Sequence, residues 1–465
     1  MLQKIILYQW ASFFVWATWF SMLLFGIFCI LFFAPNMPLA EDWLMVPALT
    51  GNEKNIISWL WRQQNEHRIP IPKLILLGLL KLSHGDFRVG MIFNVFLVGL
   101  LTAIIIRVCF YIRGNKAYLT DAFIPLAVLH IGHGNNYFWS WQVGFVFPTA
   151  LIFILFLIIV QYESAIKPSI ALIASICLVL LPLCGANGLF FIIPFAPWLL
   201  YEGFLQWRNE KPSTNKWVGY VLISSVLFTG IEAAFYFVGY ERPYWNPPSP
   251  NLMTTIKTSA KFQALSFGPG AEYIWYITII SIALILSATL YLLLSILRKN
   301  HTIQSYRAWG LLSFFCSGIL FAFAMGNARA GLVPTYGLPH RYALLALPTL
   351  LASYFIWELY ALNLWKKVMQ WSLLLIMIGL LYPNTRKGYR WLAYFNEGSE
   401  KVINDIKTGM TCLSIAERNK EFLLHWDKRG LSSYLEMLKQ AKIGVFRNIK
   451  ADFKEVQGVP TVGNL

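Results

Sequence analysis

Uninterrupted apolar runs of about 20 residues recur along this chain, and that recurrence constrains its fold more than any other feature of the sequence. Such a run matches the hydrocarbon thickness of a bilayer. No water is available there to satisfy backbone N–H and C=O groups, so they must pair within the chain. A barrel would show short alternating strands instead, and these runs are continuous. The expected fold class is therefore all-α: a polytopic transmembrane helical protein. Composition agrees, with 57% hydrophobic and only 13% charged residues, against roughly 25% charged in soluble domains.

The candidate spans lie at 11–33, 89–112, 117–131, 143–160, 169–183, 188–205, 217–239, 273–297, 308–326, 342–362 and 368–382, about eleven in all. The apolar stretch 71–82 is short for a crossing and is read as an interfacial or re-entrant helix. The stretch 11–33 is too long for a signal-peptide core and lacks a small-residue cleavage site, so it is read as a retained first span. Residues 1–382 then form a transmembrane domain with a long first outer loop at 34–88. Residues 383–465 are richer in charge and are read as a small soluble appendage that packs on the membrane domain.

The formal net charge is +16, yet no basic domain stands apart to bind nucleic acid. Lys and Arg collect instead in short loops, around Arg107, Arg113 and Lys116, at Lys167, around Arg208, Lys211 and Lys216, around Arg298, Lys299 and Arg307, and at Lys366 and Lys367. Such loops stay cytoplasmic and meet anionic headgroups. The N-terminus is therefore expected inside, and the odd span count places the tail outside. The six cysteines form no C-x-x-C pair, so they read as small packing residues rather than a disulfide or zinc framework.

On this topology the polar residues hardest to explain gather on the outer face. The first outer loop opens with Glu41-Asp42-Trp43 and continues through Asn65-Glu66-His67-Arg68. The second carries His130, His133, Asn135, Asn136, Trp139, Trp141 and Gln142, and the third is a short turn through Asn187. The fourth holds Glu241, Arg242, Tyr244 and Trp245, and the fifth holds Asn327, Arg329, His340 and Arg341. Taken singly, the aromatics form an ordinary interfacial belt, the acids are solvated, and the arginines snorkel. His130 and His133 are structural or part of a metal site. Together, acids, histidines, arginines and aromatics suit an amphiphilic, anionic, carbohydrate-bearing ligand.

This layout resembles the GT-C superfamily of polytopic glycosyltransferases, which use polyprenyl-phosphate-linked sugars. The resemblance rests on a first span, a long outer loop with an acidic pair at its start, interfacial helices, further spans and a soluble C-terminal end, and covers most of 1–382. Asn65-Glu66-His67-Arg68-Ile69-Pro70 and Pro339-His340-Arg341-Tyr342 look like recurring elements of bacterial membrane proteins with this layout. No WWD-type motif is present, which argues against the oligosaccharyltransferase branch. The resemblance implies a GT-C-like fold and hexosyl or pentosyl transfer at the extracytoplasmic face of a bacterial inner (plasma) membrane. The partners it implies are a polyprenyl-phosphate-linked sugar and membrane lipid. A carboxylate near the acceptor hydroxyl would act as base, with Asp42 the first candidate and Glu41 the alternative. Arg68 and Arg341 are the phosphate candidates, and His67 and His340 assist either role. Participation of a divalent metal as cofactor stays open. Two rivals remain. A lipid-linked glycan polymerase or ligase would centre on Arg and His. A transporter or flippase would need ionisable residues within the membrane, for which Asp121 and Glu232 are the candidates.

Overall fold

The computed structural model describes residues 2–208, 215–243, 246–299, 303–424 and 428–450. Lys211, Tyr244, Trp245 and the last part of the appendage, 451–465, lie outside the described residues. Among the described residues there is no strand, and nine helices are long and apolar enough to cross a membrane. The chain is an all-α, multi-pass membrane protein.

The helices follow the apolar runs. They are α1 (Leu2–Phe33), the short α2 (Pro70–Leu82), α3 (Arg88–Tyr111), α4 (Phe123–Leu129), α5 (Val143–Val160), α6 (Pro168–Leu180), α7 (Ala186–Trp207) and α8 (Lys216–Tyr236). They continue with α9 (Leu252–Ala264), α10 (Trp275–Lys299), α11 (Ile303–Arg329), α12 (Tyr342–Tyr360), α13 (Asn363–Lys407), α14 (Cys412–Leu423) and α15 (Lys428–Gln440). A helix that is apolar all round either faces lipid or fills a core, and both occur. The apolar window of α12 is 89% buried and that of α1 only 22%. At the centre, Phe156 of α5 stacks on Phe314 of α11 with ring centroids 4.7 Å apart and meets Phe355 of α12 edge-on. Phe13, Phe20 and Phe32 of α1 face outward.

Two of the eleven expected spans take a different form. The stretch 117–131 is broken into a 3₁₀ turn, the seven-residue α4 and a second 3₁₀ turn, and 169–183 becomes the 13-residue α6. Pro182 and the positive φ of Gly185 end the latter helix early. Both segments still join opposite ends of the bundle. Before α4, Asp121 pairs with Arg113 at 2.7 Å, and Arg113 pairs with Glu358 at 2.5 Å. After it, Asn136 donates to the backbone oxygen of Arg341 at 3.1 Å, at the other end of α12. Before α6, the Ile166 N–H donates to Glu202 near the end of α7, and after it the Ala186 N–H at the start of α7 donates to His67.

The helix α13 runs 45 residues without a break through Pro383, so the expected boundary at 383 falls inside a helix. Asn384 fastens it there, donating to the Phe267 carbonyl at 2.9 Å and accepting from the Gly270 N–H at 2.7 Å. One turn on, Gly388 lies against the Ile131 carbonyl where no Cβ would fit. Beyond it, α14 and α15 build a small core of Leu423, Leu431, Leu435, Leu438 and Phe446, to which the first outer loop contributes Met37, Trp43 and Val46. The appendage is thus packed on the membrane-embedded part through that loop.

Candidate functional site

Four of the five loops expected on the outer side converge on one cavity of about 720 Å³. The first loop supplies Glu41 and the run Gln64 to His67, the second Trp139, Trp141 and Gln142, the third Asn187, and the fifth Arg329, Arg341 and Tyr342. The fourth backs the first: Gln63 donates to the Glu241 carbonyl at 2.6 Å and accepts from the Glu241 N–H at 3.1 Å.

Residues 40–45 form a 3₁₀ turn. Three residues complete one turn of such a helix, so Glu41, Asp42 and Trp43 point in three directions. Glu41 lines the cavity. Asp42 is fully buried and turns back, its Oδ2 accepting the Leu39 N–H at 3.2 Å. Burial pushes the Asp42 carboxyl well above the usual carboxylate range, against hydrogen bonds from the Leu39 and Trp141 backbone. Trp43 is fully buried against the appendage. The acidic pair is therefore split, and Glu41 rather than Asp42 faces the cavity.

At the other wall, Arg329 forms an ion pair with Glu66 and donates from Nε to the Tyr342 hydroxyl at 2.8 Å. Burial raises the Glu66 carboxyl, but the charges of Arg329 and His67 outweigh it and hold Glu66 below its ordinary value. His67 accepts the Ala186 N–H on Nδ1 at 3.2 Å. Its neutral form therefore carries the proton on Nε2. Burial pushes its pKa down; Glu66 opposes that shift and the Arg329 and Arg341 charges add to it. Arg341 is held by ring faces instead, its guanidinium carbon 5.7 Å from the Trp139 centroid and 5.5 Å from that of Tyr342. Among the described residues no carboxylate pairs with it. The cavity wall also holds buried polar atoms without a hydrogen-bond partner among the described residues: Oε1 of Gln142 and both side-chain polar atoms of Asn187. Such atoms in a cavity wall call for a partner from a ligand or water.

Two of the expected phosphate-site residues go elsewhere. Arg68 is buried and points away from the cavity, donating to the carbonyls of Trp61 at 3.3 Å, Val238 at 2.8 Å and Gly239 at 2.9 Å. It ties the first loop to the end of α8. His340 precedes Arg341 but faces Glu272, its Nε2 3.0 Å from the carboxylate, which Lys387 also binds at 2.5 Å. The structure therefore brings Glu41, His67 and Arg341 together and leaves Asp42, Arg68 and His340 outside the lining. Glu66, Arg329, Gln142 and Asn187 join the site without having been singled out for a role; their sequence signal was membership of the loops expected outside and, for Glu66, of the Asn65-Glu66-His67-Arg68-Ile69-Pro70 element.

The histidines of the second loop lie behind the cavity. His130 and His133 are buried and stacked, ring centroids 4.2 Å apart, and His133 Nε2 is 3.1 Å from the Ala127 carbonyl. Among the described residues no group of three or more His, Cys, Asp or Glu side chains is placed to hold a metal ion. Of the cavity carboxylates, Glu66 is already committed to Arg329. The transport candidates sit apart as well. Asp121 is locked at the opposite end by Arg113 and by the Tyr354 hydroxyl at 2.5 Å, and Glu232 lies on α8 one turn before Tyr236. Compared with known proteins, the chain matches no protein-family model and no curated protein.

Proposed function

We propose that this chain is a membrane glycosyltransferase that moves a sugar from a polyprenyl-phosphate-linked donor to a lipid, glycan or protein acceptor at the extracytoplasmic face. The observation that carries this reading is one cavity in which a carboxylate, Glu41, and a guanidinium, Arg341, that has no carboxylate partner among the described residues share walls with Trp139, Trp141 and Phe145, and with the Gln142 Oε1 and the Asn187 amide, which have no hydrogen-bond partner among the described residues. Transfer breaks the bond from the anomeric carbon to the phosphate oxygen and forms one to the acceptor oxygen. Glu41 takes the acceptor's hydroxyl proton. Arg341 stabilises the negative charge that develops on the departing phosphate, and the Nε2–H of neutral His67 is a second donor to it. The amides of Gln142 and Asn187 meet sugar hydroxyls, and the aromatic faces stack on the ring. Glu66 and Arg329 neutralise each other and shape the wall.

The layout resembles that of GT-C enzymes and supports the same reading. It goes with eleven crossings, counting the two short segments, an N-terminus in the cytoplasm and a bacterial inner membrane. The clustering of Lys and Arg away from the cavity supports that orientation. One rival has an observation in its favour: Arg329, Arg341 and His67 together would also serve a lipid-linked glycan polymerase or ligase that needs no carboxylate. The test of the proposal is transfer of labelled sugar from polyprenyl-phosphate donors by the purified protein. Transfer is the expected result. No transfer from any donor, together with substrate-dependent transport in liposomes, would replace the proposal with the transporter.

A further inference from the structure

We infer that the C-terminal appendage sets the position of Glu41 and that Trp43 is the positioning residue through which it acts. The inference rests on the transferase reading for its consequence in catalysis, but not for its geometry.

The segment that carries Glu41 is one short, stiff turn. The Asp42 N–H donates to the Leu39 carbonyl at 3.0 Å, and the Asp42 carboxylate accepts from the Leu39 N–H. The turn is held from two sides. On the membrane side, Trp139 Nε1 donates to the Leu39 carbonyl at 3.0 Å. On the other, Trp43 is wholly buried in the core that Leu431, Leu435 and Phe446 build, with the Phe446 ring edge-on at a centroid distance of 5.9 Å. Met37 and Val46, on either side of the turn, enter the same core. Glu41 lies between these two holds and lines the cavity. Because three residues complete one 3₁₀ turn, a displacement of Trp43 moves Glu41 with it. Misplacement of a reacting group by about 1 Å can cost about 10²-fold in rate. A purely adhesive role for Trp43 would leave Glu41 where it is when the appendage core is loosened.

The experiment loosens that core at a distance from the cavity, with Phe446→Ala, and restores it in part with Phe446→Leu; Trp43→Phe is the milder change in the turn itself. Two readouts are taken on the purified full chain. The first is the labelling rate of a cysteine placed at Glu41, read by peptide mass against a cysteine placed at Asn187, which stands on α7 at the same cavity. The second is sugar transfer. In Phe446→Ala the rate at position 41 should change while that at 187 stays the same. The kcat should fall by about 10²-fold with donor KM unchanged, and Phe446→Leu and Trp43→Phe should recover most of it. An unchanged labelling rate at 41 in Phe446→Ala overturns the inference. So does a change at both positions, which means general loosening. If the wild type transfers no sugar, the transferase reading fails while the labelling comparison still decides the positioning.

Discussion

Replacing Arg329 by methionine removes a guanidinium but keeps most of its apolar stem, and the cost follows from what is left behind. Arg329 forms an ion pair with Glu66 and donates to the Tyr342 hydroxyl, and the side chains of the pair are only 12% and 19% exposed. Removing one partner of a buried pair costs about 3–5 kcal/mol, because the other charge is stranded. An exposed pair would cost at most about 1 kcal/mol. At these exposures Arg329→Met should cost about 3 kcal/mol, the low end of the buried range. Glu66→Gln in the same chain removes the stranded charge. What remains is the lost donor to Tyr342, about 1 kcal/mol. The double variant should therefore be about 2 kcal/mol more stable than Arg329→Met alone, so the costs of the two single changes should not add. The assay is equilibrium unfolding of the four purified proteins in one detergent at pH 7. An Arg329→Met cost below about 1 kcal/mol, or costs that simply add, would refute the pair as a buried structural element of the cavity wall.

Other consequences concern the same loops. The folded-state pKa of His67 lies below its ordinary 6.5, so the fold favours the neutral ring. That contribution is complete above pH 6.5 and is lost as pH falls through the lower folded value. Melting curves from pH 8 to 5 should therefore show His67→Gln flattening the decline that wild type shows below pH 6.5; a parallel decline in both would contradict it. Arg68→Ala strands the carbonyls of Trp61, Val238 and Gly239 and should cost about 2 kcal/mol or more. It should also speed proteolysis in the loop after α8, and an unaffected cleavage rate would count against this clamp. For orientation, a cysteine at the exposed Lys54 should label from outside intact cells and one at the exposed Lys116 should not; the reverse pattern would invert the topology.

The long crossing helices were legible because an apolar run of sufficient length has one physical outcome in lipid. The two departures have local causes. Pro182 and Gly185 stop α6 early, and the chain around His130 and Gly132 is bent to meet α13, whose own Gly388 makes the close approach possible. The appendage was legible as a composition change, but the continuity of α13 across 383 was not, since the apolar run ends there while the helix carries on through Pro383. In the site, the loops expected outside were legible as a group, because acids, histidines and aromatics gathered on one side of the bundle need an explanation. The individual roles were not. Neighbouring residues of a 3₁₀ turn diverge, so only coordinates separate Glu41 from Asp42. Arg68 and Arg329 look alike as loop arginines, yet one spends its donors on carbonyls and the other on Glu66.

The central claim is that Glu41, and not its neighbour, is the carboxylate of a sugar-transfer site. The direct measurement is labelled-sugar transfer from a polyprenyl-phosphate donor by purified wild type, Glu41→Gln and Asp42→Asn. Glu41→Gln keeps the side-chain size and removes only the proton acceptor, so kcat should fall by about 10²–10⁴-fold. Asp42→Asn retains an oxygen for the Leu39 N–H and should keep most of its activity. Full activity in Glu41→Gln would contradict the claim, most sharply if Asp42→Asn were the inactive protein.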